Sequence, residues 1–531
     1  GSFRSIIVPQ TVTAGTYLFK LTVDGKVSRF KKDIDFTYEP GKISRFTIRI
    51  NRKVHTGEYE LEPVETEIVP WTEDLNQHDG EARQYYCVNV TEPGTLGRLI
   101  KADGKNPMKI RNLKVSGTIS DEDFYFMRDS MAILEAVNLK ETRVVDVEVT
   151  NHHQVIVGNT YYSCDGFLSG HNDEYGNPTI YVEREEGTYD DIIPDAAFAG
   201  KKSLYYFTFP EKINQIGYHA FNGSSISGAL VIPDDVTHIW SSAFSGTNIS
   251  SLVLAPKVEI LGGNAFYNCS SLSGTLTLPE TLKYIGYYAF EDCSFTGNLI
   301  LPNSLEYIGE SAFHESGTFV GDLTIPEKLP ILYGSTFWGN SKKSFTGTLN
   351  LSNVQEIGER CFYNCGFSGE VIVPDGITNI PAELFQYNGG KIRSLVLPSS
   401  IKTIGTRAFK GQHRLSRINF PEGLLVIGQD AFEACSHLQS LELPSTLQTI
   451  QLDAFKNCFG ITSIICHSTE PPTVMAGAFD GVPKDNFTLQ VPANAVNRYA
   501  TDPVWGQFRR ISAYQDFSIS RNRARALNAE T

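Results

Sequence analysis

Basic charge is in short supply in this chain: 46 Lys and Arg stand against 60 Asp and Glu, a formal net charge of −14 at pH 7. Binding phosphates requires a basic footprint, so this balance argues against nucleic acid as a partner and disfavours an anionic membrane. Arg521, Arg523 and Arg525 are a local exception in a solvated tail. Long apolar runs are missing as well. No segment approaches 18 continuous apolar residues, so no transmembrane helix is expected. No signal peptide opens the chain, which begins Gly1-Ser2; the expectation is an export signal cut away and more sequence upstream. Catalytic signatures are also lacking: there is no Gly-x-Ser-x-Gly elbow, His-Glu-x-x-His, Gly-x-Gly-x-x-Gly or P-loop. His314-Glu315 has no second histidine four residues on. We expect neither an enzyme nor a cofactor.

The nine cysteines include no Cys-x-x-Cys pair. Five of them, Cys269, Cys293, Cys365, Cys435 and Cys458, follow a phenylalanine by three residues. Elsewhere that position holds Ser224, Ser316 or Asn388, which indicates a packing slot rather than a metal site. Adjacent rungs would bring Cys435 and Cys458 to about 5 Å, and stacked thiols are favoured over a bridge. An acidic, glycine-rich loop over 150–190 offers Asp165, His171, Asn172, Asp173 and Glu174. Without the spacing of a calcium loop it is expected to be solvated and to hold no metal.

What the chain has in abundance is repetition. Thirteen phenylalanines recur from Phe198 to Phe479 at intervals of 22 to 25 residues. Each ends a phrase seen cleanly in Leu282-Lys283-Tyr284-Ile285-Gly286-Tyr287-Tyr288-Ala289-Phe290. A second phrase, Leu-x-Leu-Pro, keeps the same beat, for example at Pro233, Pro279, Pro302 and Pro444. A fixed period of this size means a stacked solenoid, an architecture that presents long surfaces and binds. Leu441 and Leu443 point inward from a strand, Glu442 points out, and proline stops the ladder. Glycines before the strand (Gly228, Gly274, Gly297, Gly321, Gly347, Gly369) suit a left-handed corner. Trp240, Tyr333 and Gln451 replace the Gly after Ile, and Leu351-Ser352 replaces Leu-Pro, so strand regularity is expected to falter there.

Upstream of the repeats, Tyr17–Val23 alternates and Asp24-Gly25 signals a hairpin. Val88–Val90, a short helix from Gly94 to Ile100, a strand at Leu113–Gly117, an acidic-capped helix from Asp121 and a strand at Ala136–Leu139 read as two irregular capping repeats. Asp129-Ser130-Met131 reads as a helix start.

Two resemblances follow from these residues. Val8-Pro9-Gln10-Thr11-Val12, Thr22-Val23-Asp24-Gly25-Lys26, Thr47-Ile48-Arg49-Ile50-Asn51 and Ile68-Val69-Pro70-Trp71 resemble the C-terminal part of a fimbrillin-like domain, a β-sandwich module of Bacteroidetes surface proteins and pili. Ile-Gly-x-x-Ala-Phe with Leu-x-Leu-Pro resembles the BspA-like leucine-rich repeat. The expected organisation is a mainly β chain with short helices and 3-10 turns. It comprises a fimbrillin-like module (1–75), an N-terminal cap with its acidic loop (84–190), about thirteen leucine-rich repeats (191–465), a C-terminal cap (466–514) and a tail (515–531). The resemblance implies an exported, surface-attached protein, an adhesin contacting host or bacterial proteins. A glycan-binding subunit for nutrient capture and a structural spacer or pilus-associated component remain as rivals. The candidate contact residues are rings expected to be exposed in repeats two to eight, Trp240, Tyr267, Tyr284, Tyr287, Tyr307, Trp338 and Tyr363, beside outward Val231 and Ile300. Partner contact is expected to centre there and to spare the last three repeats.

Overall fold

The computed structural model describes residues 85–149, 184–339 and 345–514, with further strands given by their backbone within 11–70 and 154–163. The chain divides into two compact units, 1–84 and 85–531.

In the first unit the strands pair antiparallel. Tyr17–Val23 runs against Lys26–Lys31 with Val23 opposite Lys26, and the expected turn residues Asp24 and Gly25 lie outside the described residues. Lys42–Arg52 runs against Tyr59–Pro70, and Thr11–Val12 against Phe36–Thr37.

The second unit is a stack of rungs held by parallel ladders. Tyr86–Val90, Asn112–Ile119 and Ala136–Val144 pair parallel and continue into Tyr206–Thr208, so the first strands of this unit share a sheet with the first repeat. Helices Leu96–Ala102 and Asp121–Ser130 fill the return paths. Buried Asp123 ties them together by accepting from the N–H groups of Gly94, Leu96 and Ser120 at 2.8, 2.9 and 3.1 Å. Asp129-Ser130 lies at the end of its helix, not the start, and Asp129 takes a bidentate pair from Arg128. The stretch expected to be loop contains strands: Val147–Val149 pairs with Gly187–Tyr189, and Gln154–Val157 with Thr160–Ser163.

Each rung then runs strand, corner, short second strand, and a tight return carrying the phenylalanine. The thirteen rings from Phe198 to Phe479 form one uninterrupted interior stack, with neighbouring centroids 5.2–5.9 Å apart and planes within 19°. Phe124 closes the stack edge-on at one end; Trp505 and Phe508 close it at the other. A stacked solenoid must finish its core this way, because an open last rung would leave a ring in water.

The return segment is a ladder of its own. The Phe198 N–H donates to the Ala220 carbonyl at 2.7 Å, and that of Phe290 to Ala312 at 2.9 Å. To aim these N–H groups along the stack, the residue two before each phenylalanine takes φ of 51° to 58°, from Ala196 to Asp453. Asn264, Asp430 and His219 tolerate that region; Tyr288, Arg360 and Arg407 are held there by the ladder. The Gly after Ile has a different cause. A Cβ on Gly286 would lie 2.3 Å from the Gly263 nitrogen, so the rungs meet backbone to backbone. Before the strand, five of the six glycines do have positive φ; Gly347 does not, and is needed because a Cβ would meet Gly321 at 2.3 Å.

The second sheet is one six-stranded ladder from Ile192–Ile193 to Tyr307–Ile308 and another of five strands from Asn379–Ile380 to Thr473–Val474. Trp240 and Gln451 do not disturb it, since Trp240 donates its N–H to Ile216 at 2.9 Å and Gln451 to Ile427 at 2.9 Å. The gap between the ladders has a plain origin. Thr237, Glu259, Lys283 and Glu306 each donate to the rung before at 2.8–2.9 Å, and the next residue in that column is Pro330, which has no N–H. Pro381 removes the donor in the glycine column in the same way. Between them Ile331–Leu332 and Glu356–Ile357 pair alone.

Candidate binding surface

The outward position of Leu-x-Leu-Pro makes one column of the first sheet face. Val231, Val253, Ile300, Ile372 and Val396 stand out of it, 58, 57, 72, 56 and 38 % exposed. Val231 is in register with Val253, and Ile372 with Val396. Thr208, Thr277, Thr324, Asn350, Asn419 and Glu442 in the same column are exposed and polar, and Ile465, in register with Glu442, is half-buried. Val231 and Ile300 are therefore where the alternation places them. Val253 was missed because Ala255 occupies the proline position, so Leu252-Val253-Leu254 does not spell the motif; its in-register alternation was the available signal.

The rings behave differently. Tyr284 and Tyr307 belong to the second sheet, stack at 4.6 Å with planes 7° apart, and continue to Tyr333 at 5.2 Å. They are only 8 and 6 % exposed, so the expectation of exposed contact rings is corrected: outward rings on adjacent rungs bury one another. Trp240 is buried too. It packs on His238 and Tyr218 at 5.2 and 5.3 Å and donates Nε1–H to Gln215 Oε1 at 2.8 Å. The Arg184 guanidinium lies 5.2 and 5.7 Å from the Tyr218 and Trp240 rings and pairs with Asp195 at 2.5 Å. Burial pushes His238 below its ordinary pKa.

Tyr267, Tyr287, Trp338 and Tyr363 are half-buried on the return edge. Trp338 meets Tyr363 at 4.2 Å and His314 at 4.9 Å; His314 Nδ1 lies 2.9 Å from Glu291 Oε1. Tyr387, more exposed, touches Tyr363 edge-on at 5.9 Å. The nine candidate residues are thus spread over two sheets and a return edge, rather than gathered into one patch.

The cysteine column has a structural task. Each thiol donates to the phenylalanine carbonyl one rung back: Cys269 to Phe244 at 3.1 Å, Cys365 to Phe337 at 3.0 Å, Cys458 to Phe432 at 3.1 Å. Ser316 Oγ does the same to Phe290 at 2.7 Å, which explains why Ser and Cys alternate there. Cys435 and Cys458 are thiols, and burial pushes Cys458 up to about 12. Among the described residues no three His, Cys, Asp or Glu side chains group to hold a metal. Asp165, His171, Asn172, Asp173 and Glu174 lie outside the described residues, and there is no helix long and apolar enough to cross a membrane among the described ones.

Comparison with known families gives two matches. The BspA type leucine-rich repeat region matches residues 191–296, 274–390 and 378–500, and a fimbrillin-like model matches 1–71. Among solved structures, a leucine-rich repeat protein from Bacteroides ovatus is 19% identical, with 61% of this chain and 82% of that one covered and a TM-score of 0.42. A leucine rich cell surface protein from Faecalibacterium prausnitzii is 19% identical over 63% of this chain and 89% of that one, with a TM-score of 0.35. A leucine-rich repeat protein from Eubacterium ventriosum is 17% identical over 75% and 89%, with a TM-score of 0.33. No curated protein matches the chain.

Proposed function

Because the chain belongs to the BspA-type leucine-rich repeat family, we propose that it is a surface-displayed binding protein whose first sheet face contacts another protein. The observation that carries this reading is the row of exposed Val and Ile side chains from Val231 to Val396. Strand propensity explains β-branched residues on a sheet, but a face meant only for water would carry the Thr, Asn and Glu seen on the intervening and later rungs. Neighbouring rungs advance about 4.8 Å, so the row is long enough for a standard interface of about 800 Å² per partner. The fimbrillin-like segment supports display at a cell surface and an adhesin role.

The test is capture of extracellular-matrix and bacterial surface proteins on the immobilised chain. Val231→Thr with Ile300→Thr should weaken capture, and Asn419→Ala with Glu442→Ala should not. Equal losses from both pairs, or loss from the second pair alone, would remove the apolar row as the site. The return edge supports a glycan-binding rival, since Trp338, Tyr363 and Tyr387 offer ring edges beside Glu291 and His314. Glycan-array binding that disappears in Trp338→Ala and survives Ile300→Thr would favour that rival.

A further inference from the structure

The residue just past the strand-ending position carries a second pattern. From the second rung on it is Asp234, Glu280, Glu327, Asp375 and Glu422, on every second rung; Glu211, on the rung before Asp234, adds a sixth carboxylate at the end of the row. On the rungs between it is Pro256, Asn303, Asn353 and Ser399. The five carboxylates are all exposed and follow the outward strand residue by three, as Asp234 follows Val231 and Asp375 follows Ile372. Lys257 pairs with Asp235 at 2.6 Å while also lying in the field of Asp234, and Lys328 pairs with Glu306 at 3.7 Å. Among the described residues, Asp234, Glu280, Glu327 and Asp375 have no ion pair, and Glu422 accepts only from the Ser445 N–H and hydroxyl, at 3.1 and 2.9 Å. An exposed apolar row is therefore bordered by a row of negative charge with a period of two rungs.

That period selects a partner. Two rungs of parallel strand advance about 9.6 Å. A polyproline-II helix repeats its faces every three residues, about 9.3 Å. Over the four intervals from Asp234 to Glu422 the two would drift by only about 1 Å. An extended strand returns to the same face about every 6.7 Å, and an α-helix at i, i+7 about every 10.5 Å, which drifts by nearly 4 Å over the same span. We propose that this face binds a basic segment in the polyproline-II conformation, laid along the stack, with Lys or Arg at every third position. The cations meet the five carboxylates, and the prolines between them pack on Val231, Val253, Ile300, Ile372 and Val396. Such a segment has no internal hydrogen bonds to protect and loses little entropy on binding, so a sheet without an open edge can hold it.

This inference rests on the first sheet face being the protein-binding face. The test uses the full chain and labelled synthetic peptides read by fluorescence anisotropy. One peptide has five Lys-Pro-Pro triplets; a second has five Lys-Pro-Pro-Pro quartets, equal in charge but out of phase. The triplet peptide should bind about tenfold tighter than the quartet peptide at ~0.1 M salt, where charges beyond about 10 Å are screened. The variant D234N/E280Q/E327Q/D375N/E422Q should lose the binding. Ile300→Thr with Ile372→Thr should weaken it several-fold while the circular dichroism spectrum is retained. Equal affinity for the two phases, or binding unchanged in the five-site variant, would overturn the proposal. If the peptides fail but Val231→Thr with Ile300→Thr still loses captured protein, the partner chemistry is wrong and the binding face stands. If neither variant set changes any capture, the face itself is wrong.

Discussion

From Ile192 to Ile308 the second sheet is one ladder whose outer column, after Gln215, is built of rings and apolar groups: His238 against Trp240, then Ile260, Tyr284 and Tyr307. From Asn379 to Val474 it is again one ladder, but the outer column is Asn379, Thr403, Val426, Thr449 and Thr473. In this second block the return edge carries alternating charge instead. Arg360 pairs with Glu383 at 2.7 Å, Glu383 with Arg407 at 3.4 Å, Arg407 with Asp430 at 3.0 Å, and Lys410 with Glu433 at 2.6 Å. The interior phenylalanine stack is the same in both blocks. The inward positions and backbone contacts fix the rung, and the outward positions are then free to join rungs by stacked rings or by ion pairs. Rings are the firmer choice, at about 0.5–1.5 kcal/mol per pair beyond area burial, against about 0–1 for partly exposed ion pairs.

If the prolines at 330 and 381 divide the blocks, each should open by its own transition, as a one-dimensional stack allows. The largest effect should come from the core. Phe266→Ala and Phe409→Ala each remove a fully buried ring and should cost about 3–5 kcal/mol, but in different calorimetric transitions. Displacement of a single common transition by both variants would show that the prolines do not uncouple the blocks. A smaller effect should follow from mending the gap. Pro330→Gln with Pro381→Gly restores two N–H donors, each worth about 1 kcal/mol, offset by the freer unfolded chain. The two transitions should then merge with little gain in melting temperature. Persistence of two transitions would place the boundary elsewhere.

Much of this was legible because it is periodic. The phenylalanine beat and Leu-x-Leu-Pro placed the core, the outward column with Val231 and Ile300, and the donor slot of Cys269 and Cys458. The left-handed residues before each phenylalanine were not legible, because Ala196, Tyr288, Arg360 and Glu383 share no side-chain chemistry; inter-rung hydrogen bonds impose the conformation. The exposure of Tyr284 and Tyr307 was misjudged because alternation tells which way a side chain leaves the strand, not what its neighbours one rung away then cover. Trp240 and Gln451 looked like breaks and are not, whereas the ladder does stop at the rung of Tyr333; the missing donors are at Pro330, three residues before it, and at Pro381.

The smallest effect should appear on mild alkalisation, and it should touch one block only. Burial lowers the Lys201 ammonium to about 8, although it donates to the carbonyls of Arg128 and Met131 at 2.7 Å each. For Lys410, burial would lower the pKa, but the pair with Glu433 and the charge of Asp430 outweigh it and hold the group above 10.5. Between pH 8 and 10.5 the unfolded chain therefore holds a proton on residue 201 that the folded chain has released, so stability rises with pH across that window. Lys410 is charged in both states below 10.5 and contributes no slope there. The buried thiols, Cys269 and Cys293 in one block and Cys435 and Cys458 in the other, have raised pKa values, so both blocks lose stability above about 8.5, where unfolded thiols ionise. Between pH 8 and 9, then, the N-terminal transition should rise relative to the C-terminal one, and Lys201→Met should abolish the difference. A calorimetric series across that interval in which both transitions move together, or in which Lys201→Met leaves the rise intact, would show that the buried ammonium does not separate the blocks.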